Sequence, residues 1–343
     1  MSNSTNFSRR QFVAGTGAVA AGLALGACGN TQQQAPAPAS DGERTKITFV
    51  LDYAPNTNHT GIYVAQDQGF FADEGLEVEI IPAPEDGADA LIGAGGAQLG
   101  VSYQDYIANN LASDQPMPYS AVAAIIQHNT SGIMSRAEDG ITHPALMENH
   151  RYATWDLPVE QATVKRVVEA DGGDFSKVEL VNFDADDEVS GLKADMFDTV
   201  WVFEGWACQN AVVQDYPYNY FSFESIDPVF DFYTPVIAAN DDFAKQNPEA
   251  VKAFLRAVKK GYEYCVENPS SAADILCAAV PELEPNLIHQ SQEYLAGQYT
   301  ADASSWGVID KDRWARFYQW LNDNDLVENQ IDVNAGYDLS YLA

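Results

Sequence analysis

Between residues 46 and 240 the sequence alternates short β-type runs with helix-type runs, an order that restricts the chain to an α/β fold on mostly parallel sheets. Lys46–Leu51 (K-I-T-F-V-L) is a β-rich run, His59–Gln68 a helical stretch ended by Gly69, and Val78–Ile81 a second strand. Ala88–Ile92 reads as a short helix broken at Gly93–Gly96. Leu99–Tyr103 reads as a strand, Asp105–Ala112 as a helix and Ala121–Ile126 as a buried strand. A second set follows: Val159–Ala170 helical, Val178–Phe183 and Thr199–Phe203 strands, Trp206–Gln214 a helix, Tyr218–Phe223 a strand. Pro235–Ala239 then reads as a strand returning to the first set. A body of about 300 residues exceeds what one core usually supports, so two lobes are expected. The expected partition is 45–133 with 236–343 as lobe 1 and 134–235 as lobe 2. Ligands in such folds bind outside the carboxyl ends of strands, here in a cleft between the lobes.

The C-terminal third is helical. Asn247-Pro248-Glu249 has an N-cap residue, Pro at the first helical position and an acid in the first turn. Val251, Phe254, Leu255, Val258, Tyr262, Cys265 and Val266 follow at helical spacing. Further helices are expected over Ser271–Ala279 and near Asp312–Asn322. The stripe Trp314, Phe317, Tyr318 and Leu321 reads as core rather than binding surface.

The amino terminus reads as an address, not a domain. Ser8–Val13 (S-R-R-Q-F-V) is a twin-arginine pattern, and the apolar run Phe12–Ala27 is too short to span a bilayer comfortably. It ends in L-G-A-C at Leu25–Cys28, which resembles a lipobox. Residues 1–27 are therefore expected to be a twin-arginine lipoprotein signal peptide, with Cys28 lipidated and the chain held on the outer face of the membrane. The polar, Pro-containing segment 28–44 reads as a flexible tether. No later run has 18 uninterrupted apolar residues.

Net charge is −32, and residues 1–27 hold Arg9 and Arg10 and no acid, so the body is more acidic still. A surface of that sign repels phosphate backbones, which excludes nucleic acid as a partner. Cys208, Cys265 and Cys277 have no metal-ligand spacing and are expected as buried free thiols; a Cys265–Cys277 bridge is the alternative.

Several runs carry a family resemblance. Leu51–Ala65 (L-D-Y-A-P-N-T-N-H-T-G-I-Y-V-A), Phe70–Ile80, Gly100–Gln104, Ile126–Gly132 (I-Q-H-N-T-S-G), Asp231–Val236 (D-F-Y-T-P-V) and Trp306–Trp314 resemble the thiamin-precursor, or formylaminopyrimidine, binding proteins. The Gly-Leu-x-Val strand entry is shared with sulfonate-, nitrate- and riboflavin-type relatives. The resemblance implies a two-lobed periplasmic-binding (type II) fold that closes on its ligand. It also implies ABC permease and ATPase subunits as partners. A monomer without cofactor or metal is expected. One departure is Tyr53, where the family often has Trp: a stacking face is kept and a hydroxyl is added.

An aminopyrimidine needs aromatic walls and a few fixed polar groups. Tyr53 and Tyr103 directly follow strands and are candidate walls; Phe232 and Tyr233 precede the returning strand and are another. Asn56, Asn58 and His59 open a helix, and read either as ligand contacts or as turn and cap residues. Gln127, His128, Asn129 and Thr130 follow a buried strand at the expected lobe crossing. Glu204, in V-W-V-F-E-G-W, is an acid among apolar residues that must find a partner. It reads either as the acceptor of the aminopyrimidine's N–H donors or as a cap of the next helix. Trp155, at the end of a short strand, is a candidate wall or a core residue.

Eukaryotic relatives of this fold make the thiamin pyrimidine from a histidine and pyridoxal phosphate with iron. By the resemblance, their cysteine cluster falls where this chain has Phe230-Asp231-Phe232-Tyr233. Together with the lack of a dinucleotide loop or a nucleophile elbow, this leads to the expectation of a binding protein rather than an enzyme.

Overall fold

The computed structural model describes residues 44–183, 185 and 187–342. The expected signal peptide, the expected lipidation site Cys28 and the expected tether up to 43 lie outside the described residues. Ten strands form two five-stranded sheets. The first holds β1 (Thr45–Val50), β2 (Leu76–Ile81), β3 (Leu99–Ser102), β4 (Tyr119–Ala124) and β10 (Val236–Asn240), in the order β2-β1-β3-β10-β4. The second holds β5 (Ser131–Arg136), β6 (Arg151–Thr154), β7 (Glu179–Asn182), β8 (Thr199–Phe203) and β9 (Tyr218–Ser222), in the order β7-β6-β8-β5-β9.

Both sheets are mixed, which corrects the expectation of mostly parallel pairing. β1 runs parallel to β2 and β3, but β10 is antiparallel to both β3 and β4. Likewise β6 runs parallel to β7 and β8, and β5 is antiparallel to β8 and β9. The reversed strand in each sheet is the one by which the chain arrives from the other sheet. It enters at the edge where its neighbours end, so it must run against them. Strand periodicity carries no sign of direction, so the sequence could not show this. The same topology gathers the carboxyl ends of β1, β3 and β4 beside the start of β10, and those of β6, β8 and β9 beside the start of β5. The crossing segments 125–130 and 223–235 join these two edges. β5 begins at Ser131 and lies wholly in the second sheet.

Helices cover the sheets. They are α1 (Thr60–Asp67), α2 (Phe70–Asp73), α3 (Ala88–Gly93), α4 (Gln104–Ala112), α5 (Pro158–Ala170), α6 (Glu188–Lys193), α7 (Gln209–Val213), α8 (Asp241–Gln246), α9 (Pro248–Glu267), α10 (Pro269–Ala279), α11 (Pro285–Ala296) and α12 (Lys311–Asp323). The apolar stripe of α9 is buried as its spacing predicts, through Val251, Phe254, Leu255, Val258, Tyr262 and Cys265. Each such side chain stabilises by about 1.5–3 kcal/mol on burial. Its contact with α1 is close because both helices place glycine there. A Cβ on Gly261 would run into the Gly61 carbonyl, and one on Gly61 would overlap the Tyr262 ring. Asp310 caps α12 by accepting the Arg313 N–H at 2.7 Å. Trp314, Phe317, Tyr318 and Leu321 are all buried, as expected of a core stripe.

The three described cysteines are free, with Cys208 and Cys265 buried. Among the described residues no helix is long and apolar enough to cross a membrane. Sequence periodicity missed β5 and α11, and the short helices α6 and α8 as well. β5 (S-G-I-M-S-R) is buried on both faces at five of six positions and so does not alternate.

Candidate functional site

The loop leaving β1 is built around a buried carboxylate. Asp52 Oδ1 lies 2.6 Å from His59 Nε2, and the Tyr103 hydroxyl donates to Asp52 Oδ2. His59 Nδ1 accepts the backbone N–H of Asn56 at 3.1 Å. That bond fixes the tautomer: Nδ1 is the acceptor, so Nε2 carries the hydrogen and donates to Asp52. Burial pushes the Asp52 carboxyl up, but the bonds from His59 and Tyr103 outweigh it and leave it below the usual carboxylate range. Burial, then the Asp52 charge, hold the Tyr103 phenol well above its ordinary value. The first turn of α4 adds Asp105, which desolvation together with nearby Asp89 pushes up to about 6.

A second cluster ties the two crossing segments together. His128 Nδ1 lies 2.8 Å from Asp231 Oδ2, and its Nε2 lies 2.9 Å from Asp302 Oδ1. Arg313 of α12 sits 3.3 Å from the same Asp231 oxygen and donates to the Gln127 carbonyl. Asp231 Oδ1 accepts the Asn129 N–H at 3.1 Å. The bond to Asp231, ahead of the opposing desolvation, pushes His128 up to about 9, so it is an imidazolium at neutral pH. His128, Glu224 and Asp231 bring one ligand atom each within 4.8 Å of one another, the spacing of a cation site. Because Asp231 is already shared by His128 and Arg313, the cluster is better described as an ion-pair clasp of the crossings.

Glu204 follows β8 and opens a single π-turn, Glu204–Cys208. Its backbone N–H reaches the Thr130 carbonyl at 2.9 Å, which anchors it to the first crossing. Its Oε2 accepts the Tyr294 hydroxyl at 2.8 Å. Its Oε1 accepts no hydrogen bond from the described residues. Burial, and then the charge of Glu204, raise the phenols of Tyr220 and Tyr294, so both are donors at neutral pH. The β1 loop and the Glu204 turn adjoin: buried Ser291 lies 2.6 Å from Thr57 Oγ1 and donates to the Gly205 carbonyl.

The expected site residues divide by what their polar atoms are doing. Tyr53 is 72% exposed just past β1, and Trp155 is 42% exposed just past β6, so both present open ring faces at the carboxyl edge. Trp155 also leans on the buried Trp201 at 5.9 Å between centroids. Asn58 is partly buried, and its carbonyl accepts the Tyr262 hydroxyl at 2.7 Å. Asn56 is the cap of a 3-10 turn, its side chain accepting from the Asn58 N–H at 2.9 Å. His59 is fully buried, and both ring nitrogens are used internally. Asn129 is buried on the Phe230 carbonyl and the Ser131 N–H. Gln127 is buried on the Val308 carbonyl at 3.1 Å, and the Thr130 carbonyl receives Glu204 and Tyr220.

Tyr233 and Phe232 do not form a wall. Tyr233 is 1% exposed, stacks toward Trp314 and accepts the Asp310 N–H at 2.7 Å; Phe232 stacks on Phe317 at 4.1 Å. The α12 stripe, whose partners the sequence did not reveal, takes both rings. Sequence reasoning also missed Asp52, Asp231, Arg313 and Tyr294. Asp52 was findable as the acid directly after the first strand. Tyr294 was not, because α11 went unread.

A family profile described as NMT1/THI5 like matches residues 56–272. The chain belongs to the NMT1/THI5-like family. The formylaminopyrimidine-binding protein of Halalkalibacterium halodurans is 29% identical over 302 residues, covering 85% of this chain and 90% of that one. The 4-amino-5-hydroxymethyl-2-methylpyrimidine phosphate synthase THI11 of Saccharomyces cerevisiae is 24% identical over 259 residues, covering 72% and 75%. Among solved structures, the periplasmic aliphatic sulphonate binding protein SsuA of Escherichia coli superposes with a TM-score of 0.66 at 12% identity, covering 84% and 96%. The fold is thus the two-lobed periplasmic-binding architecture expected from the sequence. Past β1 both oxygens of Asp52 are bonded within the protein, whereas in the turn after β8 one oxygen of Glu204 accepts no hydrogen bond from the described residues.

Proposed function

We propose that the chain is the extracytoplasmic substrate-binding protein of an ABC importer, and that its cleft captures a thiamin-precursor aminopyrimidine. The observation that carries this reading is Glu204: a partly buried carboxylate with Oε2 tied to Tyr294 and Oε1 without a partner among the described residues. An aminopyrimidine is the complement of such a group, because its exocyclic amine donates N–H while its ring stacks on an aromatic face. A sulfonate or nitrate would meet a carboxylate of its own sign. In this reading the ring lies against Tyr53 or Trp155, and its donor edge meets Glu204. Closure of the lobes about segments 125–130 and 223–235 then excludes water. The relative named as a formylaminopyrimidine-binding protein supports the substrate class. Lipid attachment at Cys28, twin-arginine export, and permease and ATPase partners for a monomeric receptor complete the proposal.

The synthase relatives favour a second reading, in which the chain makes a pyrimidine. Against it, the run that the resemblance sets opposite the synthases' cysteine cluster is here largely core aromatic: Phe230, Phe232 and Tyr233 are buried. Calorimetric titration with N-formyl-4-amino-5-aminomethyl-2-methylpyrimidine, with riboflavin and an alkylsulfonate as controls, tests the first reading. Binding of the pyrimidine alone supports it. Binding of the sulfonate in preference overturns the substrate class. Pyrimidine release on incubation with pyridoxal phosphate and iron would establish the synthase.

A further inference from the structure

Helix α11 touches both sides of the candidate site, and its contacts are ordered in one direction. Ser291 has a single hydroxyl hydrogen and gives it to the Gly205 carbonyl, so Thr57 must be the donor in the 2.6 Å contact with Ser291. A proton-ordered chain therefore runs from the β1 loop through α11 to the turn after β8. Three residues further on, the same face of α11 presents Tyr294 to Glu204 Oε2 at 2.8 Å. Gln290 donates to Gln209 Oε1 at 3.1 Å and holds the start of α7. The turn packs closely on α11 at Gly205, where a Cβ would come within 2.8 Å of a Leu295 methyl.

We propose that Tyr294 is the positioning and specificity residue of the pyrimidine site: it clamps Glu204 so that the ligand meets an edge made only of acceptors. The inference rests on the reading of Glu204 given above. A phenol that donates to Oε2 leaves its own lone pairs, the second lone pair of Oε2 and the whole of Oε1 unused by the described residues. Such an edge accepts two N–H hydrogens from an amine or amidine. It leaves a carbonyl or sulfonate oxygen without a donor, which is the stronger form of discrimination because the unpaired group is then buried. Without the clamp the carboxylate can turn, and each bond to the ligand must first restrict a rotamer.

The experiment is a double-mutant cycle on the whole protein, read by calorimetry with two probes: the formylaminopyrimidine and its analogue lacking the 4-amino group. Tyr294→Phe should weaken the aminopyrimidine by about three- to tenfold and leave the des-amino analogue unchanged, since only the first uses the clamped edge. The double variant with Glu204→Gln should bind no worse than Glu204→Gln alone. Glu204→Asp keeps the charge but withdraws it from Tyr294, and should lose affinity as Tyr294→Phe does. That second variant keeps the test open if Tyr294→Phe folds poorly. Full additivity of the two losses, equal losses for both probes, or wild-type binding by Glu204→Asp would overturn the role of Tyr294 while leaving Glu204 in the site. Wild-type binding by Glu204→Gln would overturn the site reading itself, and this proposal with it.

Discussion

Asp52 and Glu204 both stand at the carboxyl edge of a sheet, and they differ in how far the protein has filled their bonding capacity. Each lies just past the carboxyl end of a strand, β1 or β8, and each accepts a tyrosine hydroxyl, from Tyr103 or Tyr294. Asp52 spends both oxygens inside the protein, and its side chain is only 6% exposed. Glu204 spends one oxygen and remains partly exposed. An acid at a strand end is therefore no guide to binding by itself. On the reading proposed for Glu204, what separates a building acid from a binding one is how many of its lone pairs the fold has already filled.

The largest expected effect falls on the first of the pair. Asp52→Asn removes the charge that His59 and Tyr103 share, and should cost about 2–3 kcal/mol in urea unfolding. Glu204→Gln should cost less than about 1 kcal/mol of stability, yet weaken the aminopyrimidine about tenfold or more, on the order of 1.5–3 kcal/mol. Equal unfolding midpoints for the two variants would break the comparison. A calorimetric affinity for Glu204→Gln equal to wild type would remove Glu204 from the site.

The His128–Asp231 clasp of the crossing segments sharpens the comparison through pH. His128 is raised from 6.5 to about 9, so its folded state holds a proton that the unfolded chain gives up first. Its contribution is complete below the unfolded value and is lost as pH rises through the folded one. Unfolding free energy should fall by on the order of 1–2 kcal/mol between pH 6.5 and 9.5, allowing for solvent screening, and His128→Asn should flatten that slope. Asp52 acts at the other end of the scale: its folded value is depressed, so its contribution is present above 3.8 and is lost in acid. The smallest effect is expected at Asp105. Its folded value of about 6 means that stability declines as pH rises from 3.8 through 6. Asp105→Asn should therefore raise the Tm slightly at pH 7.5 and not at pH 4. A fall in Tm at pH 7.5 would show that its charge is satisfied rather than tolerated.

The sequence by itself determined the elements that depend on neighbours along the chain. The strand–helix alternation, the buried stripes of α9 and α12 and the free thiols all follow from spacing or residue type, and the quoted runs pointed to the family. The cap expected at Asn247 makes no side-chain bond to its helix, whereas Asp310, unread in the sequence, caps α12. Tyr53, Trp155 and Glu204 were legible as site candidates because each lies at or just past the carboxyl end of a strand. Tertiary structure alone decided which of the candidates have free groups. His59 and Asn129 carry the right chemistry but are consumed by Asp52, Phe230 and Ser131, and Tyr233 is consumed by α12. The reversal of β5 and β10, the His128–Asp231 pair across 103 positions and the Tyr294–Glu204 bond across 90 were equally out of reach. Periodicity records which face of an element is apolar, but a hydrogen bond is settled by the distance between atoms that only the folded chain brings together.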